Sequence, residues 1–355
     1  MIAFTLEVHV KAAALKGSRA MAIVDLPDDG PGAGEVKLRV AYCGICGSDM
    51  HEFEAENPPR ALGFMQPVMG HEFSGTIVAV GDGVMSLKLG QTVVGNPGAG
   101  CGACGYCAKG RENLCRAGST VGGGMGYTRP GAYAEFITIP ERSAVVLPDG
   151  ANLQHGALTE PFAVARHALI QGGYRPSELL VVAGAGPIGL LTVIAARQMG
   201  GDRIVVSEPL AGRRAAAEKV GASHVVEPSA LINVSRTLSG GEGAEISVDA
   251  SGLPAGIASC VDATARGGRI VIAGVGDQPY PLDVMRSIIN EYTYIGVLGY
   301  NRAEFAESAL MIAAGKVDVS SVISEVVPVE STPDAFARLS GGRNELRKIL
   351  VSPDA

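Results

Sequence analysis

The chain has 355 residues, 47% hydrophobic and 18% charged, which is enough apolar material for two cores and argues against disorder. No run of 18 apolar residues occurs, which excludes a spanning helix. The net charge is −7 and there is no Lys/Arg cluster, which argues against nucleic acid or an anionic membrane as the main partner.

In chain order, Val/Ile alternation broken by Gly, Pro and Asp predicts short strands at Glu35–Ala41, Gly75–Val80, Thr92–Val94, Ala134–Ile139 and Ala144–Leu147. Ala157–Ile170 has helical spacing. After it, strands and helices alternate. The strands are Glu178–Ala183, Arg203–Ser207, His224–Val226, Glu245–Asp249, Arg269–Ala273 and Tyr294–Leu298. The helices between them are Pro187–Met199, Ala211–Val220, Pro254–Ala265 and Pro281–Asn290. Six strands alternating with helices predict an α/β, doubly wound parallel sheet. The chain closes with helices at Ala303–Ala314 and Thr332–Leu339 and strands at Val322–Val327 and Lys348–Val351. Met1–Val10 carries an acidic residue and lacks an apolar stretch before a cleavage site, so it is a poor signal peptide.

Six of the seven cysteines lie between Cys43 and Cys115, which reads as metal binding in a reducing, cytoplasmic compartment. Cys101, Cys104, Cys107 and Cys115 have the spacing C-x2-C-x2-C-x7-C, which closes a tetrahedron of thiolates with no open position and so a structural zinc site. An iron–sulfur cluster is the rarer alternative. A second group is Cys43, Cys46, Ser48, Asp49 and His51, followed by His71 and Glu72. Cys46, His71 and one carboxylate make a three-ligand site with an open position, as in catalytic zinc. Glu160 is the first candidate for that carboxylate and Glu72 the competitor.

The stretch Gly184-Ala-Gly186-Pro187-Ile188-Gly189 is a GxGxxG turn between a predicted strand and helix, with Glu208 at the end of the next strand. Gly184 permits the turn, Gly186 lets a pyrophosphate approach, and Gly189 lets helix pack on strand. Glu208 is placed to accept hydrogen bonds from an adenosine ribose. His167 reads as a packed residue, His155 as a loop or cap residue, His224 as a strand start and Cys260 as core.

The motifs GICGSDMHEF, GHEFSGTIVAVGDGV, the four-cysteine lobe, TEPFAVARHA and GAGPIG, in this order, resemble the zinc-dependent medium-chain dehydrogenase/reductase family. The resemblance runs from about Lys11 to Ser352. It is closest to the polyol branch, which includes butanediol and sorbitol dehydrogenases. It implies a GroES-like β-rich catalytic domain from residues 1–158 and 300–355, with the lobe at about 98–118. A Rossmann domain would be inserted at residues 159–299. It implies two zinc ions per chain, NAD, an alcohol or ketone substrate, and a homotetramer or homodimer.

The catalytic zinc would sit on Cys46, His71 and Glu160, with Glu72 at or just behind it and Asp49 orienting His71. Ser48 and His51 would form the proton relay. Arg213 would flank the adenosine ribose and Arg347 would reach the pyrophosphate. Backbone around Val275 and at Val297, Leu298 and Gly299 would hold the nicotinamide amide. The implied reaction is hydride transfer between NAD and a secondary alcohol, diol or polyol. Primary or cyclic alcohols are the alternative within the family. A zinc-free quinone or enoyl reductase would lack the cysteine lobe, and a non-catalytic nucleotide- or zinc-binding protein would need no relay. Residues before Val10 extend the family's usual start. Glu54–Gln66, with Pro58, Pro59, Phe64 and Met65, matches no particular substrate class and is expected to rim the pocket.

Overall fold

The computed structural model describes residues 9–56, 66–117, 124–341 and 344–355. The extension before Val10 and the expected pocket rim therefore lie largely outside the described residues. The chain opens with an antiparallel hairpin, β1 (His9–Gly17) and β2 (Ala20–Pro27). Then come β3 (Glu35–Gly44), β4 (Glu72–Val80), β5 (Thr92–Gly95), β6 (Phe136–Pro140) and β7 (Ala144–Val146). The parallel strands are β8 (Leu180–Ala183), β9 (Ile204–Ser207), β10 (His224–Val226), β11 (Ala244–Asp249), β12 (Thr264–Ile272) and β13 (Thr293–Gly296). Last come β14 (Ile323–Pro328) and β15 (Lys348–Ser352).

β8–β13 form one six-stranded parallel sheet in the order β10-β9-β8-β11-β12-β13. Chain direction across the sheet reverses between β8 and β11. This opens a crevice at the carboxyl ends of the strands, the general ligand position of such sheets. The residues of β8 and β9 are buried throughout, as expected where helices cover both faces. A second, seven-stranded sheet runs β14-β15-β3-β4-β5-β7, with β6 on β3. Strands from both ends of the chain meet in it: Leu350 of β15 pairs with Gly44 of β3. The β-rich unit is thus closed by the C-terminal strands, as the resemblance implied, with the doubly wound sheet inserted.

The helix Thr159–Gln171 joins the two. Its Arg166 donates to Glu304 O, Ser308 Oγ and Glu307, and its His167 Nδ1 lies 2.8 Å from Glu304 Oε2, all on the helix Arg302–Ala313. His167 is buried and packed, as expected, and so is Cys260.

The structure corrects several boundaries. The hairpin β1–β2 was not expected, because Ala12, Ala13 and Ala14 are poor strand formers. They extend because Ala13 N bonds Tyr133 O at 2.8 Å and all three are buried. The helix predicted to reach Ala265 ends at Ala263, where β-branched Thr264 begins β12 and its Oγ1 meets Ser247 Oγ at 2.7 Å. Helices at Leu231–Leu238, Gly47–Glu54 and Leu153–Gly156 (which contains His155) had no sequence expectation.

Candidate active site

The four lobe cysteines converge as their spacing requires. Sγ separations are 3.9 Å for Cys101–Cys107, 3.6 Å for Cys104–Cys107 and 3.7 Å for Cys104–Cys115. Thiolates about 2.3 Å from a tetrahedral zinc lie about 3.8 Å apart, so the four sulfurs fit that ion. Amides of Ala103 and Cys104 point at Cys101 Sγ and lower its pKa to about 6. This favours the deprotonated form a metal needs.

The second donor group is built where the seven-stranded sheet meets the helix Gly47–Glu54. Cys46 is the N-cap of that helix, and Asp49 Oδ2 accepts from its amide at 3.0 Å. The same oxygen accepts from Tyr133 Oη at 2.6 Å. Asp49 Oδ1 lies 3.5 Å from His71 Nδ1. With Nδ1 turned to Asp49, Nε2 is left for a metal. Ligand atoms of Cys46, His71 and Glu72 all lie within 4.8 Å of one another. Three donors of this kind, thiol, imidazole and carboxylate, fit the ligand set of a catalytic zinc. The buried Ser48 Oγ, two residues after Cys46, has no hydrogen-bond partner among the described residues.

Glu160 is not in this compact trio. It is half-buried at the start of the helix joining the two sheets and accepts a hydrogen bond from Tyr300. Burial, and next the Glu72 carboxylate, raise its pKa to about 7 against the pull of His71. It therefore shares one electrostatic neighbourhood with His71 and Glu72. Glu72 is not free: Lys348 Nζ donates to its Oε1 at 2.7 Å and Oε2 at 2.6 Å, and also to Ile45 O at 2.7 Å. Cys43 is buried beside the group and outside it, and burial pushes its thiol well up, which suits a neighbour better than a ligand.

Two residues here carried no sequence signal. Tyr127 Oη lies 3.2 Å from His71 Nε2, with the rings 4.8 Å apart. Tyr127 follows a glycine-rich stretch without periodicity, so nothing local announces it. Lys348 read only as the start of a strand. A lysine entering an apolar strand, Lys-Ile-Leu-Val, was the available clue, since buried lysines need a partner.

The glycine turn has the expected form. Gly184 has φ +100°, and a Cβ on Gly189 would come 1.9 Å from Gly184 O. A Cβ on Gly186 would meet nothing closer than Arg213 Nη1 at 3.9 Å, so this glycine keeps open space at the helix N-terminus. Pro187, Ile188 and Gly189 form the first turn of the helix Pro187–Gln198. Glu208 is buried, and its carboxylate accepts from the amides of Ala185 at 2.8 Å and Leu210 at 3.0 Å. Each oxygen keeps a lone pair for a ribose hydroxyl.

Arg213 Nη2 donates to Leu346 O at 2.9 Å, and its buried Nε has no partner among the described residues. The same holds for Nε of Arg347. Both guanidinium groups therefore have donors to spare near the glycine turn or the C-terminal strand. At the other end, Val275, Val297 and Leu298 line a cavity of about 320 Å³ with Arg111, Asn113 and His167. Gly299, with φ +56°, follows. His51 Nε2 lies 3.0 Å from Val275 O, which puts the imidazole at this wall of the crevice.

The family profile described as alcohol dehydrogenase GroES-like domain matches residues 32–149, and that described as zinc-binding dehydrogenase matches residues 187–314. The chain is similar to sorbitol dehydrogenase of Bacillus subtilis (strain 168), 32% identical over 358 aligned positions covering 99% of each chain. Among solved structures it resembles 2R,3R-butanediol dehydrogenase from Bacillus subtilis, with TM-score 0.85, 28% identity, and 97% of this chain and 99% of that one covered. It also resembles a candidate zinc-binding dehydrogenase from Sinorhizobium meliloti 1021 bound to NADP, with TM-score 0.87, 28% identity, and 98% and 100% covered.

Proposed function

The chain belongs to the zinc-binding dehydrogenases with an alcohol dehydrogenase GroES-like domain, and on that premise we propose that it interconverts a secondary alcohol, diol or polyol and its ketone with NAD. The observation that carries this reading is the Cys46, His71 and Glu72 trio two residues from the unpartnered hydroxyl of Ser48. The named relatives, a sorbitol and a butanediol dehydrogenase, support the substrate class. In this reading residues 1–158 and 300–355 are the catalytic domain and 159–299 the cofactor domain.

We assign the catalytic ion to Cys46, His71 and Glu160, with Glu72 as the interchangeable carboxylate that stands nearer without the ion. The lobe holds a second zinc on its four cysteines. Zinc bound at the first site supplies Lewis acidity toward an alcohol oxygen, and NAD supplies the hydride acceptor. The protein's own groups do the rest. Asp49 fixes the tautomer and tilt of His71. Ser48 takes the hydroxyl proton and His51 passes it to solvent. Arg213 flanks the adenosine ribose, and Arg347 and the helix N-terminus after Gly186 bind the pyrophosphate.

The test is zinc content near two per chain together with an absorbance rise at 340 nm on a panel of diols, sugar alcohols and simple, cyclic and secondary alcohols. Activity confined to primary alcohols would overturn the substrate class. No reaction with any alcohol would overturn the enzyme assignment.

NAD should be preferred over NADP by about 100-fold or more in kcat/KM. Glu208 would face the 2′-phosphate, and unit charges near 4 Å at an effective dielectric of 20 repel by ~4 kcal/mol. Arg213, whose Nε has no partner among the described residues, offsets part of this, and Arg214 little, because its donors are held by Glu208 O, Pro209 O and Glu227. Equal kcat/KM for the two cofactors would remove the role from Glu208.

For the relay, Ser48→Ala should lose at least about 100-fold in kcat, within the usual ~10²–10⁴-fold range of a positioned proton acceptor. His51→Gln should lose on the order of tenfold, because water can replace the outer member. The His51 defect should shrink between pH 6 and 10, as hydroxide and buffer take the proton. Wild-type rates for His51→Gln across that range would leave it a bystander.

We further propose a homodimer or homotetramer. Among the described residues β13 ends the parallel sheet with one side unpaired, and Leu282, Met285, Ile288 and Ile289 near it are exposed. An open apolar edge of this kind is normally covered.

A further inference from the structure

The metal lobe reaches the crevice through Arg111, Asn113 and Leu114. Asn113, in the short turn Glu112–Leu114 between two lobe cysteines, donates from Nδ2 to the carbonyl of Leu298 at 2.8 Å. The two residues are 185 positions apart in the chain. The contact is close: a Cβ built on Gly299 would lie 3.9 Å from Asn113 Cβ.

The segment it grips is anchored on either side, by Val297 packed against the core and by Tyr300 buried against Phe305, and Leu298 between them is exposed. Leu298 lies beyond the end of β13 at Gly296, and its side chain is 62% exposed. The last tie to the sheet is Val297 N to Ile272 O at 3.2 Å. Gly299 then turns with φ +56°, a conformation that gives the loop no packing side chain. Val275, which lines the same cavity, is also contacted from outside the parallel sheet, its carbonyl lying 3.0 Å from His51 Nε2.

We propose that Asn113 is a positioning residue for the nicotinamide: by holding Leu298 O it fixes the backbone of residues 297–299, and so makes the metal lobe a strut of the cofactor crevice. This rests on the reading above that those residues hold the nicotinamide amide. A loop already ordered before the ligand arrives loses less conformational freedom on binding, and the difference appears as affinity. The adenosine half of the cofactor, bound some distance away at Gly186 and Glu208, does not feel it.

That separation supplies the test. NADH and ADP-ribose are titrated against the wild-type zinc-loaded protein, Asn113→Ala and the isosteric Asn113→Asp, with zinc counted in each. Losing one neutral hydrogen bond should weaken NADH binding about three- to tenfold in Asn113→Ala. The loss should be larger in Asn113→Asp, where a carboxylate faces the carbonyl. ADP-ribose, which lacks the nicotinamide, should bind all three proteins within about twofold, and both variants should keep two zincs. Unchanged NADH affinity in the variants, equal weakening of both ligands, or loss of lobe zinc from both variants would each overturn the proposal. Wild-type protein that binds ADP-ribose as tightly as NADH would instead sink the underlying reading of residues 297–299, and the proposal with it.

Discussion

Glu160→Ala should keep the lobe zinc and NADH affinity but lose the second zinc and nearly all turnover. Glu160 lies in the first turn of the helix that joins the two sheets, in the electrostatic neighbourhood of His71 and Glu72. Burial first, and Glu72 after it, raise its pKa to about 7, so its charged form is favoured by a cation bound beside it. Lewis-acid stabilisation is worth several kcal/mol, so kcat should fall on the order of 10³-fold or more.

Glu72→Gln should behave differently. It should keep the metal with a smaller rate loss, but it leaves Lys348 buried without its counter-charge. Breaking a buried pair from one side costs ~3–5 kcal/mol, so a lower melting temperature should accompany it. Metal content and melting, measured together, separate the two carboxylates. Metal lost only in the Glu72 variant would give Glu72 the ligand role.

Cys104→Ser should bring zinc from two to one per chain and sharply lower stability or solubility. Cys104 Sγ is 3.6 Å from one sulfur of the lobe and 3.7 Å from another, so its removal opens the tetrahedron. Structural zinc in small peptides is worth ~10–16 kcal/mol of apparent binding energy, and that energy opposes unfolding. Few apolar residues of the lobe are buried, so little else would hold it together. A variant with two zincs and normal melting would refute the structural role.

The sequence made legible what repeats or has fixed spacing. The doubly wound sheet shows as alternating apolar runs, the lobe as C-x2-C-x2-C-x7-C, and the nucleotide turn as three glycines followed by Glu208. What stayed hidden depends on partners far away in the chain. Ala12–Ala14 pair with Ala22–Val24 of β2 and are held on their other side by Tyr133 and Ala134, more than a hundred residues away. Tyr127 gains its place through His71, 56 residues away, and Lys348 through Glu72. Glu160 and Glu72 could not be ranked from spacing. One is close to the other donors but engaged by Lys348, and the other is free of that ion pair but outside the compact trio.

The bond from Lys348 to Glu72 also sets a timetable for synthesis. The two residues are 276 positions apart, so at ~5–20 residues per second a ribosome takes roughly 15–55 s to supply the lysine after the glutamate. During that interval β3 lacks its β15 neighbour and Glu72 lacks its lysine. The parallel sheet is drawn from one continuous stretch and can close first. The β-rich half, by contrast, is completed only when the last strand docks and brings Lys348 to Glu72.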